Sequence, residues 1–239
     1  VDPRRSAGVI GGREGNAMAA ADSYEIKIIG TGGHGARPHD GNDPVPVACH
    51  LVTALQTMVT RRINVWDPIV LTVGVIKAGT ARNIIPEFAD MAVTLRSFSE
   101  EARDLAERLI TNMAEKTAEA HGMTAEVKVT RGYPPTINNG GFVDLVETAL
   151  TKNFGQGAFA RDAHPRMGFE DFSFILQRYP GAFVFLGTAP KGVNPLEAAG
   201  NHSPYMEIDE DAMANGAAAH AAVAFEFLNH GMGGGVDGA

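Results

Sequence analysis

Three groups of polar residues in this sequence have side chains that could take part in a reaction. The first group is His34, which lies in the glycine-rich stretch 30–39. An imidazole both donates and accepts a proton near neutral pH, and glycines let another molecule approach the backbone closely. The alternative is a flexible connection that carries a solvated histidine. The stretch also lacks the Lys-Ser/Thr ending of a phosphate-binding loop.

The second group is Asn83 and Arg96, on the turn and the strand of one predicted β–β unit. A guanidinium can hold a carboxylate through two parallel hydrogen bonds, so Arg96 is a candidate carboxylate fork. The alternation of apolar and polar residues along this strand favours a simpler reading, in which Arg96 points to solvent from the polar face.

The third group is Glu170 with Asp171, and His202 at the end of a long loop. The two acids also fit the first turn of a helix predicted over 170–179, where the helix dipole favours negative charge. One histidine does not make a zinc site, because structural and catalytic zinc takes three or four protein ligands. The sequence contains no HExxH, CxxC or GxSxG motif.

Periodicity predicts the elements that must position these residues. Between residues 23 and 130 the order is β-α-β-β-α-β, the ferredoxin-like arrangement of a four-stranded antiparallel sheet with two helices on one face. The predicted strands cover 23–29, 69–76, 90–97 and 125–129, and the predicted helices cover 44–61 and 99–120. Asp43 and Ser99 are the predicted N-caps of these two helices. This domain is assigned residues 22–131.

The rest of the chain has the pattern of the second half of an α/β sheet. Residues 132–230 contain predicted helices over 142–153 and 209–228, and a short apolar run over 182–187 that is typical of a buried parallel strand. Residues 1–21 are predicted to be a connection. The glycine-rich stretch 231–239 is predicted to be disordered.

Composition narrows the class of protein. The 44% hydrophobic and 20% charged residues are typical of globular proteins. A net charge of −8 argues against nucleic-acid binding, and no apolar run reaches the roughly 20 residues that span a bilayer. The lone Cys49, within a helical pattern, is predicted to be a buried apolar residue in a reducing cytoplasm.

Seven short stretches, taken together and in this order, resemble the amidohydrolase branch of the M20 metallopeptidase family. That branch includes aminoacylases, hippurate hydrolases and plant auxin-conjugate hydrolases. The resemblance implies a ferredoxin-like lid or dimerisation domain inserted into an α/β di-metal catalytic domain, which agrees with the division read from periodicity. The matching stretches are 18–22, 32–39, 79–86, 94–98, 131–135, 167–172 and 202–204.

The resemblance also implies roles. His202 matches a metal ligand, and His34 matches the lid histidine that polarises the scissile carbonyl and stabilises the tetrahedral intermediate. Asn83 and Arg96 match residues that hold the substrate's amino-acid carboxylate, and Glu170 matches an acidic position near the metals that we assign to substrate binding. The implied cofactors are two divalent metal ions, Zn²⁺ or Mn²⁺ first and Co²⁺ or Ni²⁺ as alternatives. The implied partners are an N-acyl amino acid or related amide and a second copy, bound through the lid domain.

The sequence departs from the family pattern in one large respect. Family members carry a Cys/His-rich metal-binding stretch, a Glu-Glu pair and a further histidine ligand before the region that matches Val1. We therefore expect this chain to be the lid domain and C-terminal catalytic half of a metal-dependent amidohydrolase, inactive alone. The alternative is a non-catalytic carboxylate-binding or dimerisation module.

Overall fold

A computed structural model describes residues 1–231, so most of the predicted disordered stretch 231–239 lies outside the described residues. The contacts divide the chain into two units, and each is described by itself. The ferredoxin-like unit comprises Met18–Pro135 and Met167–Asp171. The flanking unit comprises Val1–Ala17, Thr136–Arg166 and the residues from Phe172 onward.

The described residues form eleven strands and five α-helices. The strands are β1 Ile10–Gly12, β2 Gly15–Met18, β3 Ala20–Ile29, β4 Gly33–His34, β5 Val70–Ala78, β6 Ile84–Ile85, β7 Phe88–Ser97, β8 Thr124–Arg131, β9 Thr136–Asn138, β10 Phe159–Arg161 and β11 Phe185–Leu186. The helices are α1 Pro44–Arg62, α2 Glu100–Ala120, α3 Gly140–Phe154, α4 Ser173–Leu176 and α5 Ala212–His230. Single 3₁₀ turns occupy Pro38–Asp40 and Pro195–Glu197.

The ferredoxin-like unit contains a four-stranded antiparallel sheet in the order β5-β7-β3-β8. Read along the chain, the order is β3-α1-β5-β7-α2-β8, which confirms the predicted β-α-β-β-α-β arrangement. The long central strands pair from Ala20 opposite Ser97 to Ile29 opposite Phe88. The edge strand β5 contains a β-bulge between Val73 and Val75.

Both helices of this unit begin at the predicted caps. The Asp43 carboxylate accepts a hydrogen bond from the Val45 N–H at 3.0 Å, and the Ser99 hydroxyl accepts one from the Ala102 N–H at 3.0 Å. The helices cover the face of the sheet on which alternate residues of β3 and β7 are apolar. The fully buried side chains of this core include Tyr24, Ile26, Ile28, Leu51, Leu55, Met58, Leu95 and Ile110.

The apolar side chains of α1 and α2 are therefore removed from water against one face of the sheet, and each such burial contributes roughly 1.5–3 kcal/mol. The other face carries mostly polar residues, among them Ser23, Glu25, Lys27 and Thr94, which are exposed or half-buried. Arg96 follows the same alternation and lies on this second face, opposite Ala21 of β3 and Val70 of β5.

A buried ion pair joins the start of β3 to α2. The Arg103 guanidinium donates from Nε to Asp22 Oδ2 at 2.7 Å and from Nη2 to Asp22 Oδ1 at 2.5 Å. The two side chains are only 5% and 1% exposed. The Gly132 N–H also donates to Asp22 Oδ1, at 3.0 Å, so the same carboxylate holds the chain where it leaves β8. The hydrogen bond to Asp22 is the main reason that the pKa of Arg103 is raised.

The flanking unit contains a three-stranded sheet in the order β10-β1-β11 and a two-stranded sheet of β2 and β9. Its core gathers Ile10, Val143, Leu150 and Phe159 between strands and helices. β1 runs parallel to β10 but antiparallel to β11. The prediction of a parallel strand over 182–187 is therefore wrong in direction, because a continuous apolar run reports burial and carries no information on strand sense.

Two other predictions need correction. The helix predicted over 170–179 is shorter, Ser173–Leu176, because residues 167–171 instead contact the ferredoxin-like unit, where the Ala19 N–H donates to the Gly168 carbonyl at 3.0 Å. Cys49 is exposed, because it projects from the side of α1 opposite the buried Ala48 and Leu51. Among residues 1–231, no helix is long and apolar enough to cross a bilayer.

We expect Asp22→Asn to lower the free energy of unfolding by about 3–5 kcal/mol, because it leaves the buried Arg103 charge with only the half-exposed Glu100 as its counter-ion. Urea unfolding followed by circular dichroism measures this loss. The matched control is Glu25→Gln, on the same strand β3 as Asp22. It breaks the exposed pair with Lys128 of β8 and should cost under about 1 kcal/mol. Equal losses in the two variants would contradict a special role for the buried pair.

Candidate functional site

His34 lies in a short hairpin at one end of the ferredoxin-like sheet. β4 pairs with β6, so that His34 is opposite Ile84, and the Gly35 N–H donates to the Asn83 carbonyl at 2.9 Å. A Cβ on Gly35 would lie 3.2 Å from the Asn83 backbone, which is why this close approach favours glycine. The hairpin therefore brings the exposed side chains of His34 and Asn83 to the same end of the sheet.

A local hydrogen bond fixes the tautomer of His34. The Ala36 N–H donates to Nδ1 of His34 at 3.0 Å, so Nδ1 carries the lone pair. In the neutral imidazole the proton is then on Nε2. The exposed edge of this ring is a hydrogen-bond donor, which is the property required to stabilise an oxyanion.

Arg96 lies near the opposite end of the same sheet. Its guanidinium carbon is 4.6 Å from the centre of the Phe169 ring, in a cation–π contact. The side chain is half-buried, and burial lowers its pKa, although the nearby Asp22 charge acts in the opposite direction. Within residues 1–231, the guanidinium of Arg96 has neither an ion pair nor a hydrogen-bond acceptor.

Other arginines that are removed from solvent differ from Arg96 in this respect. Arg5 pairs with Asp162, Arg103 pairs with Asp22, and Arg166 donates to Asp2 at 2.6 Å. Asp22, the acid that acts on the Arg96 charge, is already engaged by Arg103. Arg96 is therefore a partly desolvated cation with an unused set of donors, and an anionic ligand would supply what it lacks.

The sheet separates the candidate residues into two pairs. Asn83 precedes β7 and Arg96 lies near its far end, and a strand of ten residues spans about 30 Å. Within one chain, His34 and Asn83 thus lie at one end, and Arg96 and Phe169 lie at the other. One carboxylate held by both Asn83 and Arg96, as the sequence predicts, would have to contact residues of two chains.

Glu170 follows Phe169 directly and is half-buried within the ferredoxin-like unit. Along the chain it is therefore the neighbour of the residue whose ring contacts the Arg96 guanidinium. Its assignment to substrate binding stays a prediction, as do the roles of the other candidate residues.

His202 belongs to the flanking unit and has an unusual backbone. Its φ is 69°, and in the described part of the chain it is the only non-glycine residue with a positive φ. Such a conformation costs of order 1 kcal/mol or more and tends to occur at functional sites. The neighbouring Asn201 side chain donates to the Val1 carbonyl at 3.4 Å, so this loop lies against the first residues of the chain.

The described residues do not by themselves make a metal centre. Among residues 1–231, no three His, Cys, Asp or Glu side chains are grouped so that they could hold an ion. His202 is a single exposed candidate ligand, which is fewer than the three or four that zinc requires. The chemistry of a di-metal site therefore cannot be built from these residues.

Two features of the site could not be predicted from the sequence. Phe169 lies in the stretch 167–172 and has no pattern of its own. Its contact with Arg96 joins residues that are 73 positions apart in the sequence. The pairing of Asp22 with Arg103 is equally non-local. An acid and an arginine within predicted amphipathic elements give no local signal of a buried pair, although Asp22 does stand at an inward position of an alternating strand.

Comparisons with known proteins extend this description. Residues 17–122 match a family described as a peptidase dimerisation domain, M20 type. The chain is 35% identical over 223 residues to thermostable carboxypeptidase 2 of Saccharolobus solfataricus. The aligned region covers 93% of this chain and 55% of that protein. It is 35% identical over 211 residues to N-acetyl-L-cysteine deacetylase of Bacillus subtilis, with coverage of 88% and 48%.

A solved structure shares the fold. A dinuclear metal binding peptidase from the M20 family, from Bacillus subtilis, superposes with a TM-score of 0.73 and 29% identity, covering 94% of this chain and 55% of that one. The chain spans about half the length of the relatives that it matches.

We expect His34 to be the Nε2–H tautomer when neutral, because Nδ1 accepts the Ala36 N–H. Long-range ¹H–¹⁵N correlation spectra of the imidazole distinguish the protonated from the unprotonated ring nitrogen. His39, which is exposed on the same loop, serves as the internal reference. A ring protonated on Nδ1 would show that this hydrogen bond is not formed in solution.

Proposed function

We propose that this chain, which carries a dimerisation domain of the M20 peptidase family, supplies this domain and part of the catalytic domain of a metal-dependent amidohydrolase. The proposed substrate is an N-acyl amino acid or a related amide with a free carboxylate. The observation that carries the proposal is the guanidinium of Arg96, which lacks a counter-ion within residues 1–231 although it is partly buried.

The choice of substrate rests on the chemistry of this guanidinium. A planar, permanently charged fork matches the two oxygens of a carboxylate, and a charge-assisted pair is strongest where water is partly excluded. The names of two relatives, a carboxypeptidase and an N-acetyl-L-cysteine deacetylase, agree with a substrate in which an amide lies next to such a carboxylate.

His34 is proposed to act on the scissile carbonyl. Its Nε2–H donor would stabilise the negative charge that develops on the carbonyl oxygen as water attacks, and removing one such donor commonly costs about 10²–10³ in kcat. The donor stands on a hairpin at the end of a strand and is already in the required tautomer.

The proposed site takes residues from two subunits. His34 and Asn83 lie about one strand length from Arg96 in the same chain. In a two-fold dimer each end of one sheet can serve a different substrate, so that His34 and Asn83 act on the substrate whose carboxylate is held by Arg96 of the other copy.

Two divalent metal ions, Zn²⁺ or Mn²⁺ with Co²⁺ or Ni²⁺ as alternatives, are proposed for the complete enzyme. The dinuclear metal binding neighbour supports the number of ions. His202 would supply one ligand, and the remaining ligands would come from outside the described residues of this chain.

The edge strand β5 is the proposed dimer contact. The two edges of the sheet differ in character, because β8 exposes Glu126 and Lys128, whereas β5 exposes Val75 and Ile76, which are 42% and 48% accessible. An apolar, unpaired edge is suited to pairing with the same edge of a second copy, as a two-fold axis requires.

A chimera tests the catalytic proposal. The part of the Bacillus subtilis deacetylase that this chain does not match is fused to the 239 residues. We expect the chimera to hydrolyse N-acetyl amino acids when Mn²⁺ or Zn²⁺ is added, and the 239-residue chain alone to be inactive and to bind metal weakly. The matched control is the chimera with His202→Ala, which should lose metal affinity and turnover.

Each possible result of this experiment has a clear meaning. Robust turnover by the 239-residue chain alone would overturn the incomplete metal site. A folded, metal-loaded chimera without any amidase activity would favour the non-catalytic carboxylate-binding or dimerisation module.

Chemical crosslinking tests the dimer edge. Cys49 is the single cysteine, and it is exposed on α1. Successive helical residues differ by about 100° in direction. The ring of the neighbouring His50 contacts the ring of His121 at the end of α2, so His50 faces α2. Cys49 therefore projects to another side of α1, so a bifunctional thiol reagent should give a covalent dimer.

The control moves the thiol to the other edge. In Cys49→Ser the crosslinked dimer should disappear, and adding Glu126→Cys on β8 should not restore it. Crosslinking through residue 126 and not through residue 49 would assign the contact to the opposite edge.

A further inference from the structure

We propose that Phe169 is a positioning residue, which holds the Arg96 guanidinium ready for a ligand carboxylate and thereby sets specificity for substrates with a free acid. The inference rests on the proposed function in one respect, the identity of that ligand as the substrate. The contact between Phe169 and Arg96 is a feature of this chain's own geometry.

The cation lies over the face of the ring. The Arg96 guanidinium carbon is 4.6 Å from the centre of the Phe169 ring, and the ring in turn contacts Tyr133, with 5.4 Å between centres and an interplanar angle of 42°. Phe169 is thus supported from one direction by a second aromatic ring, and Arg96 is supported by Phe169.

An aromatic ring is a suitable support because it uses none of the N–H groups. A guanidinium on a ring face is held by the negative quadrupole of that face, while its donors lie in its own plane and stay available. An acidic side chain in the same place would occupy the donors that a substrate carboxylate requires. Phe169 therefore stabilises the cation and leaves its fork open.

The surrounding charges keep the fork open as well. Asp22 acts on the Arg96 charge but is held by both Arg103 and the Gly132 N–H. Burial disfavours the charged form of Arg96, so its pKa is lowered. A carboxylate that pairs with Arg96 would offset this loss of hydration, which makes anion binding at this place more favourable than at an exposed arginine.

The backbone fixes the position of the ring relative to the strand. The Ala19 N–H donates to the Gly168 carbonyl at 3.0 Å, one residue before Phe169. A Cβ on Gly168 would lie 3.0 Å from Met18 Cε, so the segment packs closely on the chain that enters β3. Arg96 is opposite Ala21 on the neighbouring strand, and Ala21 follows Ala19 by only two residues.

The experiment measures carboxylate binding on the 239-residue chain without metal, so that hydrolysis does not enter. The probe is N-acetyl-L-alanine, and its methyl ester is the comparison ligand. The Nε–Hε resonance of Arg96, assigned by its loss in Arg96→Lys, is followed by ¹H–¹⁵N NMR during each titration. We expect the acid to shift this resonance and the ester to leave it unchanged.

Two variants separate the aromatic face from simple packing. Phe169→Leu keeps an apolar side chain of similar size, and it should remove the ring-current shift of Arg96 and weaken binding of the acid roughly three- to tenfold. Phe169→Tyr keeps the ring face and should restore both. The amide spectrum of each variant reports whether the fold is retained.

The outcomes decide between the possibilities. Unchanged affinity in a folded Phe169→Leu, equal losses in the leucine and tyrosine variants, or no response of wild-type Arg96 to the acid would each overturn the proposal. The chimera's amidase activity is a separate measurement, so an inactive chimera with the expected titrations would reject the proposed function alone.

Discussion

The buried pair of Asp22 and Arg103 is the constraint on which the ferredoxin-like unit depends. It joins β3, α2 and the chain after β8 at one point, and both charges are almost fully removed from water. Such a pair is tolerated only when it is complete. Asp22 lies on the helix-covered face of the sheet, where Arg103 holds it, whereas Arg96 lies on the other face and keeps its donors for a ligand. One interaction therefore anchors the unit and leaves the candidate site with an unbalanced positive charge.

The second constraint is the length of the strands. β3 and β7 pair over ten residues, and this fixes the distance between the hairpin of His34 and the position of Arg96. A rigid sheet cannot shorten to bring the two together around one small ligand. One donor group therefore lies at each end of the sheet, and the proposed assembly of two copies would bring both to the same ligand.

Much of the fold was predictable from the sequence, because alternation and helical periodicity are local signals. The caps at Asp43 and Ser99 and the β-α-β-β-α-β order are confirmed on this basis. The direction of β11 was not predictable, since an apolar run does not report strand direction. The exposure of Cys49 does follow from helical periodicity, because Cys49 lies away from the buried side of α1, and the prediction of burial rested on residue type alone. For the site, the candidate residue types were recognisable, but the support of Arg96 by Phe169 depends on tertiary contact and left no local trace.

The bulge between Val73 and Val75 has a consequence for how this protein can assemble. An extra residue in an edge strand increases the local twist and interrupts the regular spacing of its hydrogen-bonding groups. The exposed border of the sheet is then divided into two short runs, neither of which can template a long, flat ladder. In the proposed dimer, a second copy that occupies one run also blocks access to the other run, so that strand addition at the β5 edge would end with the pair.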